Sequence, residues 1–283
     1  MTQAGQEIGG RGTHETSAPH ADAQDCRWDT RWDESWPPHS AETLRARLET
    51  EPARICLLIP AFNEALTLPG LVEALRRHYP QLPIVVVDDG SHDQTGRLAE
   101  AQGATVLRHA RNRGYAAALQ TGYTFVMHQG FEAVIQLDAD GQHPPEEVAH
   151  MLAALERREA DLVVGSRFSG RGVYPVGWLK GLAVGVLRHV VRQLTGLELR
   201  DPTSGFQALN RRCLAQCLGG ALPPDYPDAE LLVRLHRAGM HIQEVPVRMS
   251  PAPRPSRMYA GLRPLHYLYR NVLALTALAR ERR

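Results

Sequence analysis

Between residues 54 and 164, short apolar runs alternate with longer segments of helical periodicity. The runs lie at 54–59, 84–87, 104–107, 134–137 and 161–164, and the helical segments at 65–79, 93–102, 113–129 and from Pro144 through 159. Gly103 and Gly130 close two of the helical segments. This alternation predicts an α/β fold, in which right-handed crossovers join a mostly parallel sheet that is flanked by helices.

The second half of the chain is less regular and contains two amphipathic segments. Within residues 174–193, apolar side chains recur every four positions beside a basic sector. The apolar positions are Trp178, Leu182, Val186 and Val190, and the basic ones are Lys180, Arg188 and Arg192. Such a helix suits either a bilayer interface or a protein core, and the pattern leaves both open. We also expect a helix ending at Ala238, a strand over 242–247 that Pro246 places at a sheet edge, and an amphipathic C-terminal helix over 265–279.

The 283 residues are 43% hydrophobic, enough to bury a sizeable core. The first 50 residues are polar and lack apolar periodicity, which predicts a disordered tail. No signal peptide is visible, and no run reaches the ~18–20 apolar residues of a membrane-spanning helix. The predicted organisation is a tail over 1–50, an α/β domain over 51–250, and a basic loop with the C-terminal helix over 251–283.

Charge is unevenly distributed along the chain. A net charge of +1 argues against nucleic-acid binding by the whole protein. After Val245, however, eight arginines face one acid, Glu281, which indicates an anionic partner near the C-terminus. Cys213 and Cys217 lack a zinc-site pattern, and we interpret the cysteines as small buried side chains or free thiols in a reducing compartment.

Two carboxylates, Asp138 and Asp140, follow the run at 134–137 with one residue between them. Open α/β sheets bind ligands at the carboxyl ends of their strands. Two carboxylates that converge there repel each other unless a cation lies between them, and Mg²⁺ or Mn²⁺ accepts such ligands together with substrate phosphates. A pair of acids after a strand is more often a solvated turn, so the surrounding motifs must decide.

Other polar residues end neighbouring runs and should share the same sheet edge. They are Asn63, Glu64, Asp88, Asp89, Asn112 and Arg167. Adjacent acids such as Asp88 and Asp89 repel unless donors bind them, for example the N–H groups of a base or the hydroxyls of a ribose. We therefore favour a ligand-binding role for this pair over a helix cap.

Seven ordered blocks make the chain resemble the family 2 glycosyltransferases of the GT-A fold, and within them the dolichyl-phosphate mannose synthase-like group. The blocks are IPAFNEA (59–65), VVVDDGSHDQT (85–95), NRGYAAALQTGY (112–123), QLDADGQHPPEE (136–147), VVGSRF (163–168), DPTSGFQALNR (201–211) and a last one over 226–249. This group transfers a sugar from a nucleotide diphosphate to a polyprenyl phosphate.

The resemblance implies a role for each matching residue. It implies a nucleotide-sugar site at Pro60, Asn63, Glu64, Asp88, Asp89, Asn112, Gly114, Asp138 and Arg167. It implies an Mg²⁺ or Mn²⁺ site at Asp138, Asp140 and Gln142, and a catalytic set of Asp138, Asp140, Arg167, Asp228 and Glu230. Candidates for binding an acceptor phosphate are Arg248, Arg254 and Arg257.

The implied reaction is a metal-dependent, inverting transfer from GDP-mannose or a UDP-hexose to a polyprenyl phosphate, by a cytoplasmic protein that contacts the inner face of the cell membrane. A phosphate acceptor needs no strong base, whereas a hydroxyl acceptor would need Asp228 or Glu230 to take its proton. Transfer to a hydroxyl in polysaccharide or glycolipid synthesis stays open, as does a non-catalytic nucleotide-sugar-binding scaffold. The chain lacks the G-x-G-x-x-G of a Rossmann dehydrogenase after its first strand, and IPAFNEA is not the Gly-rich, Lys-bearing loop of a nucleotidyltransferase.

Overall fold

The computed structural model describes residues 54–157, 160–168, 178–250 and 263–280. The strands are β1 (Ile55–Ala61), β2 (Ile84–Asp88), β3 (Thr105–Arg108), β4 (Ala133–Gln136), β5 (Leu162–Ser166), β6 (Gln207–Asn210) and β7 (Ile242–Pro246). The helices are α1 (Leu68–His78), α2 (Thr95–Ala101), α3 (Tyr115–His128), α4 (Val148–Glu156), α5 (Trp178–Thr195), α6 (Arg211–Gln216), α7 (Ala229–Arg237) and α8 (Arg263–Arg280). A 3₁₀ turn (Pro145–Glu147) precedes α4, and a π turn (Cys217–Ala221) follows α6.

The strands form one sheet in the order β3-β2-β1-β4-β6-β5-β7. All pairings are parallel except those of β6, which runs antiparallel to both β4 and β5. The mostly parallel α/β sheet predicted from the sequence is therefore confirmed. We did not expect β6, because its sequence, QALN, follows a turn-rich loop and contains no apolar run.

Pro246 lies in β7, which pairs with β5 and forms one edge of the sheet in the described part of the chain. Proline has no N–H to donate to a second neighbour, so an edge position costs no hydrogen bond. The edge position predicted from Pro246 is confirmed.

Gly122 brings α3 close to the centre of the sheet. An added Cβ at this position would lie 2.5 Å from Leu58 Cδ1 in β1, nearer than a side chain tolerates. Leu119 and Tyr123 on the same helix are buried. The close approach of α3 places its side chains within reach of the ends of the central strands.

The α5 helix has one buried apolar face and one exposed apolar face. Val184, Leu187 and Val191 are buried, which makes one face part of the core. Leu182 is 62% exposed and Val186 is also exposed, so part of the four-residue apolar stripe points away from the core. The core interpretation is confirmed for one face of the helix, and contact of the other face with a bilayer stays a prediction.

The amphipathic C-terminal helix, α8, packs against α5 and α7. It buries Tyr267, Leu275 and Leu278 and leaves Tyr269 and Leu273 exposed. No helix in the described ranges is long and apolar enough to cross a membrane. The predicted tail over 1–50 and most of the predicted basic loop lie outside the described residues.

Candidate functional site

The loops that follow β1 and β2 are joined by hydrogen bonds at the carboxyl edge of the sheet. The Asn63 N–H donates to Ser91 Oγ (2.9 Å), and the His92 N–H donates to Asn63 Oδ1 (2.8 Å). The Glu64 N–H donates to Thr95 Oγ1 (2.8 Å). Asn63 has a φ of +56°, a left-handed conformation that asparagine adopts more readily than most residues. Asn63 and Glu64 therefore occupy a fixed junction beside the end of β2, and Pro60 lies one strand away, paired with Val87.

Asp88 is fully buried at the end of β2. Its Oδ1 accepts a hydrogen bond from the Ser91 N–H (2.9 Å), and its Oδ2 lies 3.4 Å from Arg108 Nε without a hydrogen bond. An added Cβ on Gly96 would lie 2.7 Å from Oδ2, so the first turn of α2 packs directly on the carboxylate.

Asp89 is surrounded by donors from the protein itself. It accepts hydrogen bonds from the backbone N–H groups of Arg113 (2.9 Å) and Gly114 (2.8 Å), and it pairs with His109 Nδ1 (2.7 Å). The other nitrogen of His109 lies 2.9 Å from Thr121 Oγ1. Asp89 thus holds the Asn112–Gly114 turn against the start of α3. The donors that relieve repulsion at this acidic pair are supplied by the chain, and no ligand is needed to supply them.

Asp138 lies at the end of a chain of buried and partly buried hydrogen bonds. The Tyr115 hydroxyl donates to Asp138 Oδ1 (2.9 Å) and accepts from Gln136 Nε2 (3.0 Å). Gln136 Nε2 also donates to the Gly205 carbonyl (3.0 Å), and Gln136 Oε1 accepts from the Tyr123 hydroxyl (2.6 Å). Helix α3 supplies both tyrosines and β4 supplies the glutamine, so a helix and a strand together orient one carboxylate.

The other sides of Asp138 are closely packed. An added Cβ on Gly205 would lie 2.6 Å from Asp138 Oδ2. The Asp138 N–H donates to His143 Nδ1 (2.9 Å), and the His143 ring stacks on Phe206 at 4.8 Å. Burial lowers the pKa of His143 to about 4, which keeps this imidazole neutral and its Nδ1 free to accept. The Asp138 side chain is still 33% exposed, so a ligand can reach it.

Asp140 is paired with Gln142. The Gln142 N–H donates to Asp140 Oδ1 (3.0 Å), and Gln142 Nε2 donates to Oδ2 (2.6 Å). Burial raises the pKa of both Asp138 and Asp140, and the negative charge of Asp138 raises that of Asp140 further. A bound cation would relieve both effects, because it stabilises the ionised form of each carboxylate.

No group of three or more His, Cys, Asp or Glu side chains within the described residues is arranged to enclose a metal ion. Mg²⁺ and Mn²⁺ do not require such a cage, because they are commonly held by one or two carboxylates together with substrate phosphates. The carboxylates of Asp138 and Asp140 and the amide of Gln142 fit a cation of this kind.

Arg167 forms a buried bidentate ion pair with Asp201. Its Nε and Nη2 each lie 2.6 Å from an Asp201 oxygen, and Nη2 also donates to Thr203 Oγ1 (2.9 Å). The Arg167 side chain is 8% exposed and that of Asp201 is fully buried. Glu244 of β7 anchors Asp201 in turn by accepting its backbone N–H (2.6 Å). Arg167, which the resemblance assigns to the nucleotide-sugar site, is therefore held mainly by a carboxylate of the protein.

Asp228 lies just before α7 and is half-buried. Burial raises its pKa to about 7, and the charge of Asp138 raises it while that of Arg167 lowers it. The Tyr267 hydroxyl of α8 donates to Asp228 Oδ2 (2.5 Å). The charges of Asp138 and Arg167 act on the pKa of Asp228, which indicates that the three side chains lie near one another.

Glu230 is held by its own helix. Arg234, one turn later in α7, donates from Nε (2.8 Å) and Nη2 (2.6 Å) to Glu230 Oε1. Both side chains line a cavity of about 250 Å³ between α7 and α8.

Of the arginines expected to bind an acceptor phosphate, Arg248 is exposed just after β7, whereas Arg254 and Arg257 lie outside the described residues.

Three functionally placed residues were not singled out from the sequence. Asp201 and Tyr115 lie inside the motif blocks DPTSGFQALNR and NRGYAAALQTGY, but their partners, Arg167 and Asp138, are 34 and 23 positions away. Tyr267 is 39 positions from Asp228 and belongs to a helix predicted only for its amphipathic pattern. Local spacing contains no signal for such pairs.

Comparison with known proteins identifies relatives of the chain. The sequence matches Glycosyl transferase family 2 over residues 56–218. It is 33% identical over 209 residues to the undecaprenyl-phosphate mannosyltransferase of Micrococcus luteus, covering 69% of this chain and 82% of that relative. It is also 33% identical over 168 residues to the polyprenol monophosphomannose synthase of Mycolicibacterium smegmatis, covering 57% of this chain and 63% of that relative, less than two thirds of its length.

A solved structure has the same fold. The glucosyl-3-phosphoglycerate synthase of Mycobacterium tuberculosis, in complex with Mn²⁺, UDP and glucosyl-3-phosphoglycerate, matches with a TM-score of 0.63 over 85% of this chain and 84% of that chain. Sequence identity in this match is 23%, so the likeness concerns the fold. The GT-A architecture expected from the motif blocks is confirmed.

Proposed function

Since the chain belongs to glycosyl transferase family 2, and is thus a glycosyltransferase, we propose that it transfers a sugar from a nucleotide-diphosphate sugar to a polyprenyl phosphate. The observation that supports the proposal is the pair of carboxylates, Asp138 and Asp140, that follows β4 at the carboxyl edge of the sheet, with Gln142 bound to Asp140. Two relatives whose names specify transfer to a polyprenol or undecaprenyl phosphate support this acceptor class.

The donor nucleotide would lie against the loops after β1 and β2 and the turn before α3. These segments are rigid, because Ser91 binds Asn63 and Asp89 binds the N–H groups of Arg113 and Gly114. Asp88, buried at the end of β2, accepts a hydrogen bond from the Ser91 N–H and so helps to fix the loop that the nucleotide would contact. A rigid pocket lowers the entropy that is lost on binding. GDP-mannose and UDP-hexoses both fit this description.

Asp138 and Asp140, supported by Gln142, would hold Mg²⁺ or Mn²⁺ together with the donor diphosphate. When bound, the cation stabilises the negative charge that develops on the leaving diphosphate. Arg167 adds a fixed positive charge nearby, and its pair with Asp201 keeps the guanidinium in one orientation. The contribution of the chain to the metal site is to place these groups before the substrate arrives.

The transfer would be an inverting displacement, in which an acceptor oxygen attacks the anomeric carbon as the nucleoside diphosphate leaves. A phosphate acceptor is already anionic at neutral pH, so binding and alignment provide most of the rate enhancement. The exposed Arg248, at the start of the arginine-rich C-terminal region, is a candidate for binding this phosphate.

A hydroxyl acceptor is the second candidate, and the pKa of Asp228 is the observation that favours it. A carboxylate with a pKa of about 7 is well matched to remove a proton near neutral pH. Glu230 is less suited to this role, because Arg234 already binds it with two hydrogen bonds.

A lipid-linked acceptor implies contact with a membrane surface. The exposed apolar side chains Leu182 and Val186 of α5, and Tyr269 and Leu273 of α8, lie on two helices that pack together. Arginines accompany them, including Arg188 and Arg192. Apolar and basic side chains on one helix suit the interface of an anionic leaflet, and we place the protein on the cytoplasmic face of the membrane.

The test is a transfer assay with labelled GDP-mannose, UDP-glucose and UDP-N-acetylglucosamine, each with and without Mn²⁺. Acceptors are a polyprenyl phosphate and the matching polyprenol, which offers only a hydroxyl. We expect one donor to label the phosphate lipid, with loss of labelling in Asp140→Ala. A matched control is Glu132→Gln, because Glu132 is exposed and precedes β4 at the opposite edge of the sheet. Nucleotide binding without transfer to either acceptor would contradict the proposal and favour a binding scaffold.

A further inference from the structure

We infer that Tyr115 is a positioning residue that reserves one oxygen of Asp138 for the protein and leaves the other for the cation and the donor diphosphate. The inference rests on the proposed function, because it concerns the metal site of that reaction. Asp138 is the metal candidate whose orientation depends on another element of the fold, since Asp140 is bound by Gln142 two residues away.

The direction of the hydrogen bond from Tyr115 is determined by its neighbours. A hydroxyl can donate only one hydrogen, and its orientation is usually free. Here the hydroxyl accepts from Gln136 Nε2 at 3.0 Å, so its own hydrogen is directed to Asp138 Oδ1 at 2.9 Å. Tyr115 therefore acts as a donor to Asp138 before any ligand binds.

The orientation of the Gln136 amide is determined as well. Its Oε1 accepts from the Tyr123 hydroxyl (2.6 Å), and its Nε2 donates to the Gly205 carbonyl (3.0 Å) as well as to Tyr115. Reversing the amide would place its oxygen against two oxygens, those of Gly205 and Tyr115. The series of hydrogen bonds from Tyr123 to Asp138 consequently has a single direction. Helix α3 supplies its first donor, Tyr123, and its last donor, Tyr115.

The two oxygens of Asp138 are thereby made different. Oδ1 accepts the hydrogen bond from Tyr115, whereas Oδ2 has Gly205 beside it and lies 3.8 Å from His143 Nε2. With 33% of the side chain exposed, Oδ2 is the oxygen that we expect the cation to take. Partners behind a metal ligand fix its orientation and tune its affinity, and their loss typically weakens metal binding by 10- to 100-fold.

The test uses Mn²⁺ as the probe and electron paramagnetic resonance to measure its free concentration, in the presence of GDP or UDP. We expect Tyr115→Phe to weaken Mn²⁺ binding by roughly 10- to 100-fold. Metal-free nucleotide binding, measured by calorimetry, should not change. The matched control is Tyr123→Phe, which removes a hydroxyl from the same helix but keeps the Tyr115–Asp138 contact, and it should weaken Mn²⁺ binding less.

A second variant keeps the inference testable if Tyr115→Phe fails to fold. Gln136→Met retains the Tyr115 hydroxyl but removes the group that directs it, and Mn²⁺ binding should again weaken. Unchanged Mn²⁺ affinity in a folded Tyr115→Phe or Gln136→Met protein overturns the positioning role while leaving the proposed function in place. Failure of the wild type to bind either nucleotide with Mn²⁺ overturns the proposed function and the positioning role with it.

Discussion

Tyr267 of α8 donates a hydrogen bond to Asp228, so the C-terminal helix is in direct contact with a carboxylate of the candidate active site. Tyr226 packs edge-on against the Tyr267 ring at 5.0 Å, and Arg270 forms an ion pair with Asp225. Three residues of the segment before α7 are thus attached to α8. The amphipathic helix that we propose for membrane contact also determines the surroundings of a catalytic candidate.

This contact predicts a shift in pH dependence for Tyr267→Phe. The hydrogen bond from Tyr267 favours the ionised form of Asp228 and lowers its pKa, against the larger effect of burial, which raises it. Removing the hydroxyl should raise the pKa of Asp228 and move the acidic limb of kcat/KM for a hydroxyl acceptor to higher pH. The measurement is a rate profile from pH 5 to 9. A limb that does not move would show that Asp228 is not the base.

Asp228 should also make the fold less stable at alkaline pH. Its pKa is raised from 3.8 to about 7, so the folded state disfavours the ionised form. The penalty is absent below the unfolded pKa, grows as pH rises between about 4 and 7, and is complete above 7.

We therefore expect Asp228→Asn to be more stable than the wild type at pH 8, by roughly 2–4 kcal/mol, with a difference that narrows toward pH 4. Urea unfolding at several pH values measures it, and Glu132→Gln is the control at an exposed acid. A difference that is constant with pH would rule out the raised pKa as its cause.

Removing one partner of the Arg167–Asp201 ion pair should lower the free energy of unfolding. Arg167→Met leaves the Asp201 carboxylate buried without its charged partner, and the expected loss is about 3–5 kcal/mol of unfolding free energy. The double variant Arg167→Met with Asp201→Leu removes both charges and should recover part of that stability, but not transfer activity. Equal stability of the single and double variants would show that the pair is not coupled in this way.

Gly205 should tolerate no side chain. A Cβ there would lie 2.6 Å from Asp138 Oδ2, the oxygen that we expect to face the cation. Gly205→Ala should therefore weaken Mn²⁺-dependent nucleotide binding by roughly tenfold or more. Gly219→Ala is the matched control, because an added Cβ at Gly219 meets nothing within 4 Å. Calorimetry on both variants decides the matter, and equal affinities would count against the close packing around Asp138.

The sequence predicts those parts of the fold that depend on local pattern. The sequence pattern predicts the bounds of β1 to β5 and of β7 to within a few residues, and Pro246 predicts that β7 lies at an edge. The sequence does not predict β6. QALN contains no apolar run, and it is a strand because β4 and β5 pair with it on both sides.

The candidate site shows the same division. Asp138 and Asp140 can be found from their position after a strand, because the carboxyl ends of parallel strands meet at one edge. Their partners cannot be found in this way. The donors to Asp89 come from the start of α3, and the partner of Arg167 precedes β6, so both depend on how distant segments pack.

The antiparallel strand β6 also determines when, during synthesis, the candidate site can form. Among the strands that the structure describes, β6 alone joins the group β3-β2-β1-β4 to the pair β5-β7. The loop that brings Asp201 to Arg167 and Gly205 to Asp138 enters this same strand. During synthesis, a chain that ends before residue 207 has the strands of the group β3-β2-β1-β4 but neither β6 nor β7, so β5 has no strand to pair with and β6 does not yet anchor the loop beside Asp138. The chain therefore becomes able to bind the donor only late in synthesis, after β6 has joined the sheet.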